Sequence, residues 1–342
     1  MRAWRGLIGR FWLTALFFMA APVFAASEGA LLQLQGKSMG TTWSAKMIPP
    51  REVSAEQLSR SIQAALDSVV AQMSTWQEDS DISRWNQAAA GWWPISDDFF
   101  EVLRHAMTLA EETQGAYDPT VGPLTQLWGF GPQGPRPRIP SDAELDQVRA
   151  RVGWRRVALD PATSRVRQPG GVSLDLSSIA KGYGVDRAAA ALEALGVTSY
   201  LMELGGELRG KGQRPDGKPW RVGIEQPLTE GVQDSVAIPA EGLSVATSGN
   251  YRRSFHEANK RYTHIIDARS GRPVEHSLAS VTVLHTACMQ ADAWATALFV
   301  LGPTEGLAYA RRKGLAALFI VETDDGFLQQ STPAYIALFE SS

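Results

Sequence analysis

Cysteine is almost absent from this sequence, which has one, Cys288, among 342 residues. A single cysteine cannot form an internal disulfide, so the core must hold the fold without a covalent cross-link. Because Cys288 lies in an apolar stretch of helical character, it is interpreted as a small core residue rather than a nucleophile. No cysteine follows the apolar run near the N-terminus, which argues against a lipid-anchored lipoprotein.

A large excess of charge of one sign is also missing. The 33 Lys and Arg residues nearly balance the 36 Asp and Glu residues, which leaves a formal net charge of −3. Without a basic patch, nucleic acid is excluded as an expected partner. Internal repeats and long linkers are absent too, so we expect one large domain over residues 26–342.

The N-terminus has the features of a signal peptide. Three arginines in the first ten residues precede an apolar run, Phe11–Ala21, that is short for a membrane span. The sequence Val23-Phe24-Ala25 follows, as expected before a signal-peptidase cut. We therefore expect residues 1–25 to be removed and the mature protein to be periplasmic, either free or associated with the inner membrane. An uncleaved anchor is the alternative.

The predicted elements favour an α+β fold. Strand pairs mix with isolated helices, without the regular alternation that a doubly wound sheet requires, so we expect a mixed, largely antiparallel sheet flanked by helices. Apolar stripes and capping residues predict helices that begin after Ser54, Ser96 and Ser141, and helices over residues 178–195 and 287–301. Apolar alternation and turn residues predict strands within 31–47, 155–168, 172–175, 200–204, 220–225, 243–247, 262–266, 279–284, 316–321 and 335–339.

The segment Val172–Tyr183 is the first candidate for a ligand site. It is predicted to begin as a strand, to pass Ser177 and Ser178 as candidate N-caps, and to continue as a helix. Unpaired N–H groups at such a junction, the helix dipole and Lys181 one turn into the helix suit a phosphate. Asp175 could bind a hydroxyl, an amine or a metal. An Asp and a Ser with only structural roles would give the same pattern.

A carboxylate and a hydroxyl stand together on a late apolar helix. Asp292 and Thr296 are four residues apart, which places both side chains on one helix face. An Asp in so apolar a helix is costly to bury without a partner such as a cation. Carboxylate and hydroxyl oxygens suit Mg²⁺ or Ca²⁺ rather than Zn²⁺. An Asp that only reaches water or an arginine is the alternative.

Three other segments carry rings or titratable groups. The polar loop 73–86 holds Trp76 and Trp85, which either lie at the rim of the core or stack on a flat ligand. Residues 115–124 contain two glycines and two prolines, which predicts a rigid, non-helical segment. His264 precedes a tight turn, and a lone histidine on a strand is more often a hydrogen-bonded structural residue than a base.

Eight short segments occur in a characteristic order along the chain. They are Lys37-Ser38-Met39-Gly40-Thr41, Met73-Ser74-Thr75-Trp76, Gly115-Ala116-Tyr117-Asp118-Pro119, Asp175-Leu176-Ser177-Ser178-Ile179-Ala180-Lys181-Gly182-Tyr183, Glu203-Leu204-Gly205-Gly206, Ser248-Gly249-Asn250-Tyr251, His264-Ile265-Ile266-Asp267 and Ala291-Asp292-Ala293-Trp294-Ala295-Thr296. In this order they resemble the FAD:protein FMN transferases, the ApbE family, over nearly the whole chain after residue 25. The chain departs from the family pattern in lacking the lipid-bearing cysteine of many relatives and in having Ala268 where a proline is frequent.

This resemblance implies an activity and a set of site residues. The expected enzyme cuts the pyrophosphate of FAD, its substrate, with the help of Mg²⁺, transfers FMN to a Thr or Ser hydroxyl of an acceptor flavoprotein, and releases AMP. The resemblance implies His264 as the base and, as magnesium ligands, Asp292, Thr296 and the backbone carbonyl of Ser178. The implied FAD-contacting positions are Met39, Trp76, Ala116, Tyr117, Asp118, Asp175, Lys181 and Ile266.

The family's acceptors carry a short motif of the Ser-Gly-Ala-Thr type. They include subunits of membrane-bound electron-transfer complexes with domains outside the inner membrane, which agrees with the predicted signal peptide. Two other functions are consistent with the same residues. An FAD pyrophosphatase would use water in place of the acceptor hydroxyl and yield FMN and AMP, and a periplasmic flavin-binding protein would have no turnover.

Overall fold

The computed structural model describes residues 30–135, 138–225, 232–239, 241–250, 254–257 and 260–340. The predicted signal peptide, residues 1–25, lies outside the described residues. Within the described ranges, no helix has both the length and the apolar character needed to cross a bilayer.

Strands and helices are mixed along the chain, as the sequence predicts. The strands are β1 (Leu32–Ser38), β2 (Thr41–Met47), β3 (Gly91–Pro94), β4 (Ala158–Asp160), β5 (Arg165–Gln168), β6 (Tyr200–Leu204), β7 (Glu207–Lys211), β8 (Trp220–Glu225), β9 (Val232–Ile238), β10 (Leu243–Gly249), β11 (Ser254–Glu257), β12 (Lys260–Thr263), β13 (Ile266–Asp267), β14 (Arg272–Pro273), β15 (Leu278–His285), β16 (Ala316–Thr323) and β17 (Gly326–Ser331). The helices are α1 (Ala55–Met73), α2 (Asp81–Gln87), α3 (Asp97–Glu112), α4 (Gly122–Leu127), α5 (Asp142–Arg149), α6 (Ala180–Ala194), α7 (Cys288–Lys313) and α8 (Pro333–Glu340).

Eight strands form a central sheet in the order β1-β2-β6-β7-β10-β15-β16-β17. Each neighbouring pair in this sheet is antiparallel. Strands β3, β5 and β4 form a small antiparallel sheet, and the pairs β8–β9, β11–β12 and β13–β14 are antiparallel as well. The predicted α+β fold with a largely antiparallel sheet is therefore confirmed.

Both faces of the central sheet are covered. On one face, α1 and α6 pack against β2 and β6, and α7 lies along β10 and β15. On the other face, the β8–β9 pair and α8 contribute Trp220, Ile238 and Tyr335 to a second apolar layer. Because both of its sides are covered, β15 is buried at seven of its eight residues and shows no polar alternation. The candidate site lies on the face of the sheet that α1, α6 and α7 cover.

The predicted strand 335–339 is wrong, because these residues belong to α8. The Thr332 hydroxyl accepts a hydrogen bond from the Tyr335 N–H at 3.3 Å, and Pro333 is the first helical residue. A capping threonine followed by a proline at the first position favours a helix start. The short apolar run alone does not distinguish a strand from a helix.

The predicted strand 172–175 is wrong as well, because this segment pairs with no neighbouring strand. The Asn86 side chain accepts from the Leu174 N–H at 2.7 Å and donates to the Leu174 carbonyl at 2.9 Å. The Asp175 N–H donates to the Pro119 carbonyl at 2.8 Å. An amide side chain thus satisfies the backbone groups that a strand partner would otherwise bind.

The serines after this segment do not cap α6. The N-cap is Ile179, which makes no side-chain hydrogen bond to the helix. The hydroxyl of Ser177 instead donates to Asp175 at 2.6 Å. The capping serines of α1, α3 and α5 were predicted correctly, and Ser141 forms a full capping box with Glu144.

The helix predicted to end at Gly302 continues to Lys313 after a kink. Gly302 has φ 82° and ψ −177°, which breaks the helical geometry at one residue, and Pro303 then begins the second part. Proline is tolerated in the first turn of a helix, so Gly302-Pro303 bends α7 rather than ending it. Regular structure also extends into segments predicted as loops or turns, namely β1 to Ser38, α2 from Asp81, α4 from Gly122 and β10 to Gly249.

Candidate functional site

Helices α6 and α7 cross in close contact at Gly182. Its N–H donates to Oδ2 of Asp292 at 2.9 Å. A Cβ atom at this position would lie 2.4 Å from the Cys288 carbonyl oxygen and 2.8 Å from the Asp292 Cβ. Only glycine therefore allows α7 to approach so closely that its aspartate reaches the backbone of α6.

Asp292 is buried in this crossing. Its residue is 4% exposed, and burial raises the pKa of its carboxyl group, against the opposing effects of Lys181 and of the Gly182 hydrogen bond. The described residues give this carboxylate one hydrogen bond. A buried carboxylate with so few donors has capacity for a further positively charged or hydrogen-bonding partner.

Ser178 and Thr296 complete the oxygen-rich part of the crossing. Gly182 lies in the first turn of α6, where N–H groups have no helical partner, and it binds Asp292 instead. Ser178 precedes the N-cap Ile179, and no described group donates to its carbonyl. One turn after Asp292, the hydroxyl of Thr296 lies 3.0 Å from the Ser248 hydroxyl at the end of β10. The predicted ligand set thus has a carboxylate, a hydroxyl and a main-chain oxygen at one crossing.

This donor set fits a hard cation. Within the described part of the chain, no group of three or more His, Cys, Asp and Glu side chains could hold a metal. A site here would therefore depend on oxygen donors of mixed origin, which is the ligand chemistry that Mg²⁺ accepts. The buried Asp292 and the unused Ser178 carbonyl are the observations that favour such an ion.

Lys181 lies next to Gly182 and forms an ion pair with Glu207. Glu207 is the first residue of β7, and its side chain is 3% exposed. Burial raises the pKa of the Glu207 carboxyl to about 7, with Lys181 opposing that rise and Asp292 adding to it. Oε2 of Glu207 has no hydrogen-bond partner among the described residues.

Asp186 holds the start of α7 from a different helix. Its two carboxylate oxygens accept from the N–H groups of Cys288 at 3.0 Å and Met289 at 2.9 Å. Arg209 donates to the same carboxylate at 2.8 Å and to the Thr286 carbonyl at 3.0 Å. Because α7 has no N-cap side chain of its own, Asp186 of α6 supplies the cap and orients the first turns of the helix that carries Asp292.

The sequence reasoning assigned no role to Asp186 or Glu207. Both were detectable as acids in unusual surroundings. Asp186 lies in an alanine-rich helical pattern, and Glu207 follows the pair Gly205-Gly206. A charged residue at such a position needs a partner. The sequence does not identify the partner, because it comes from another element.

The segment 115–124 lies against this crossing. The Tyr117 hydroxyl accepts from the Ser178 hydroxyl at 3.0 Å, and burial raises the pKa of Tyr117. Ala116 is buried as well. The Asp118 carboxylate accepts from the Thr120 N–H at 2.8 Å, from the Thr120 hydroxyl at 2.6 Å and from the Trp154 N–H at 3.1 Å. Those bonds hold the loop in place, and the contact of Asp118 with FAD remains a prediction.

A cleft of about 410 Å³ brings two of the sequence segments together. Its lining includes Thr75, next to Trp76, together with Asp175 and Gly122, the first residue of α4. Trp76 is 58% exposed, and its contact with FAD remains a prediction. The Asp175 carboxylate is held by the Ser177 N–H at 2.9 Å and by its hydroxyl.

Met39 lies in the turn between β1 and β2. It has a positive φ of 49°, and its Cε would be 2.8 Å from a Cβ at Gly184 of α6. The side chain thus packs onto the same helix that carries Lys181 and Gly182. Its predicted contact with FAD remains a prediction.

His264 lies between β12 and β13, where the β11–β12 hairpin meets the β13–β14 hairpin. Its ring packs edge-on to Phe130, with centroids 6.2 Å apart and planes at 66°. The next residue, Ile265, packs into the large core cluster that contains Tyr117, whereas Ile266 packs against Trp128. The hairpin is therefore anchored to the core on one side. Asp267 pairs with Arg269 at 2.9 Å.

The structure thus collects Tyr117, Ser178, Lys181, Asp292 and Thr296 at or beside the α6–α7 crossing. Of the other predicted site residues, Asp175 lines the cleft and Trp76 follows Thr75 of its lining. Ala116 and Asp118 lie on the loop of Tyr117, Met39 lies on the turn packed onto α6, and His264 and Ile266 lie on the hairpins anchored to the core.

Comparisons with known proteins point to one family. Residues 39–319 match the sequence model of the ApbE family. An FAD:protein FMN transferase of Haemophilus influenzae is 42% identical over 323 residues, which cover 92% of this chain and 93% of the relative. One of Vibrio cholerae is 39% identical over 328 residues, covering 95% and 98%.

Solved structures have the same fold. The apo form of the Pseudomonas stutzeri flavinyl transferase ApbE superposes with a TM-score of 0.84 at 39% identity, over 92% of this chain and 98% of that one. The Vibrio cholerae flavin transferase ApbE gives a TM-score of 0.83 at 38% identity, over 90% and 99%. The matched range includes the α6–α7 crossing, the cleft and the His264 hairpin. The chain therefore belongs to the ApbE family.

Proposed function

We propose that this chain transfers the FMN part of FAD to a Thr or Ser hydroxyl of an acceptor flavoprotein and releases AMP. Its family membership makes it an enzyme, and its relatives are named FAD:protein FMN transferases. The observation that carries the residue assignment is the α6–α7 crossing. There an under-coordinated buried carboxylate and a hydroxyl lie on α7, and the unused carbonyl of Ser178 immediately precedes α6, the helix that carries Lys181.

The magnesium site is assigned to Asp292, Thr296 and the carbonyl of Ser178. When bound there, Mg²⁺ would withdraw charge from the pyrophosphate oxygens and stabilise the negative charge that develops on the leaving AMP. Gly182 keeps the Asp292 carboxylate oriented through its N–H. Asp186 keeps the beginning of α7 in register with α6.

The transfer step is a substitution at the phosphorus of the FMN half. The acceptor hydroxyl oxygen forms a new bond to that phosphorus, and the bond from the phosphorus to the oxygen bridging to AMP breaks. The hydroxyl proton passes to a base, and His264 is assigned this role because threonine is a weak nucleophile until it loses its proton. Lys181 adds positive charge at the phosphates. Trp76 offers a ring face to the flavin or the adenine.

The acceptor is proposed to carry a Ser-Gly-Ala-Thr-like motif and to belong to a membrane-bound electron-transfer complex. The N-terminal sequence supports this proposal, because its signal-peptide features favour a periplasmic location, where such domains are exposed. This location and this acceptor class come from the sequence.

One experiment separates the transferase from its alternatives. Purified protein is mixed with FAD and MgCl₂, with and without an acceptor that carries the motif, and AMP and protein-bound flavin are measured by chromatography and mass spectrometry. The transferase produces AMP together with an added FMN mass on the acceptor. AMP and free FMN at the same rate without acceptor would indicate a pyrophosphatase. Absence of AMP under every metal tested would indicate a flavin-binding protein.

A further inference from the structure

We infer that Glu207 is a further acidic residue of the cation site. Its Oε1 holds Lys181 in place, and its Oε2 takes part in binding the divalent cation, directly or through a water of the cation. This inference rests on the proposed function, because it extends the site assigned there to Asp292, Thr296 and Ser178.

The first reason is the state of the Glu207 carboxylate. The side chain is 3% exposed, Oε1 accepts from Lys181, and Oε2 is buried without a partner among the described residues. A buried carboxylate oxygen without a donor is costly, and buried polar atoms are nearly always satisfied. An unsatisfied oxygen beside a ligand site is therefore expected to bind part of the ligand.

The second reason is the direction in which Glu207 points. Glu207 pairs with Leu204 across the β6–β7 hairpin, and directly paired residues project to the same face of a sheet. Leu204 belongs to the apolar cluster formed with α1 and α6. Glu207 thus projects towards the helices, on the face where α6 and α7 cross.

The third reason is the connection through α6. Lys181 binds Glu207, and the next residue, Gly182, binds Asp292. The two buried carboxylates are therefore held by consecutive residues of one helical turn. The start of α7 also contacts the strand that carries Glu207, because the Sγ of Cys288 lies 3.6 Å from the carbonyl oxygen of Leu208, the next residue of β7.

The fourth reason is the balance of charge. Glu207 and Asp292 bring two negative charges into a buried region, and Lys181 brings one positive charge. A net negative charge in a buried region is unfavourable unless a cation or protonation compensates it. A divalent cation provides that compensation, and Glu207 adds to its binding free energy.

Glu203 provides a matched control. It lies at the other strand of the same hairpin and pairs with Leu208, so it projects to the opposite face of the sheet. Both of its oxygens are used, with the Gly206 N–H at 2.8 Å and the Ser44 hydroxyl at 3.3 Å. Glu203→Gln and Glu207→Gln therefore remove the same charge four residues apart, on opposite faces.

The test measures cation binding in the full chain with each variant. Thermal unfolding is followed while MgCl₂ is titrated without FAD, and the Mg²⁺ concentration for half-maximal AMP release is measured at saturating FAD. Loss of a residue that supports a metal typically weakens binding about tenfold or more. We expect Glu207→Gln to raise both half-saturation concentrations about tenfold. Glu203→Gln should leave both at the wild-type value.

Each outcome decides the inference. Unchanged half-saturation in Glu207→Gln, or equal changes in both variants, would overturn it, since Glu207 would then only pair with Lys181 or act through overall charge. Because the thermal measurement needs no turnover, a variant that releases little AMP is still informative. Failure of the wild-type protein to release AMP with any metal would refute the proposed function itself. AMP release that needs no divalent cation would overturn the inference and the magnesium assignment, but not the transfer of FMN.

Discussion

The carboxylates of Asp118 and Asp292 are both buried, and burial raises the pKa of both, yet their surroundings differ. Asp118 accepts three hydrogen bonds, two from Thr120 in its own loop and one from Trp154, 36 residues later in the chain. Asp292 accepts one, from Gly182 on a crossing helix. A saturated buried carboxylate holds a loop together, whereas an under-coordinated one has capacity left for a ligand. Burial alone therefore does not identify an acid that can bind a ligand. The number of hydrogen bonds that its carboxylate already accepts does.

The largest expected effect is loss of activity at Asp292. We predict that Asp292→Ala abolishes AMP release while the protein stays folded, because the only carboxylate among the predicted magnesium ligands is removed. The measurement is AMP formation from FAD and MgCl₂, with circular dichroism to monitor the fold. Near-normal turnover in folded mutant protein would refute the metal assignment.

Asp292→Asn sharpens the comparison with Asp118. Without metal, replacing an under-coordinated buried carboxylate by a neutral amide should leave the melting temperature unchanged or raise it, because an uncompensated charge is removed. Asp118→Asn should lower the melting temperature, because an amide oxygen cannot accept all three donors. Shifts of the same sign in both variants would break the distinction drawn between the two acids.

The next effect concerns His264. Its replacement tests whether transfer needs a base in addition to the cation site at Asp292. We predict that His264→Ala slows flavin transfer about 100-fold, the contribution expected of a positioned base, and weakens FAD binding much less. Transfer is followed by the mass of the acceptor, and binding by quenching of flavin fluorescence. Equal losses in rate and in binding would make His264 a binding residue instead.

A smaller effect, on stability, is expected at Asp118. Asp118→Ala leaves the N–H groups of Thr120 and Trp154 without their acceptor, and we expect the free energy of unfolding to fall by about 2–3 kcal/mol. Denaturant unfolding of the variant measures the change. A fall below about 0.5 kcal/mol would show that water replaces the carboxylate at little cost.

The smallest effects are expected at two helix caps. Asp186→Ala removes the acceptor for Cys288 and Met289, and Ser141→Ala removes the exposed cap of α5. Each should cost about 1 kcal/mol of stability or somewhat more. Only Asp186→Ala should also raise the Mg²⁺ concentration for half-maximal AMP release, because α7 carries Asp292. If Ser141→Ala raised this Mg²⁺ concentration as much, the change in Asp186→Ala would be explained by lost stability alone.

Several local features could be predicted because they depend on neighbouring residues. Ser54, Ser96 and Ser141 cap helices as their spacing predicts, since the capping hydrogen bond spans three residues. The position of Asp292 and Thr296 on one face of α7 also followed from helical spacing. The strand 335–339 was wrong because a short apolar run fits either a strand or a helix.

The missed features depend on partners that are distant in sequence. Asn86 takes the place of a strand beside Leu174, 88 residues away. Asp186 caps a helix that begins 102 residues later. Glu207 meets Lys181 from the sheet. No local pattern encodes such pairs, because they form only when the sheet and helices have packed.

By itself, the amino-acid sequence determined the class of fold, the caps of three helices and the order of motifs that assigns the chain to its family, since each depends on residue type and short spacing. Only the tertiary structure decided which acids are saturated and which retain capacity for a ligand. That property depends on how closely α6 and α7 approach at Gly182, and on which donors this approach brings to Asp292 and Glu207. The physical reason is that a buried charge is stabilised by whatever surrounds it in space, and its neighbours in space come from three elements far apart in the chain.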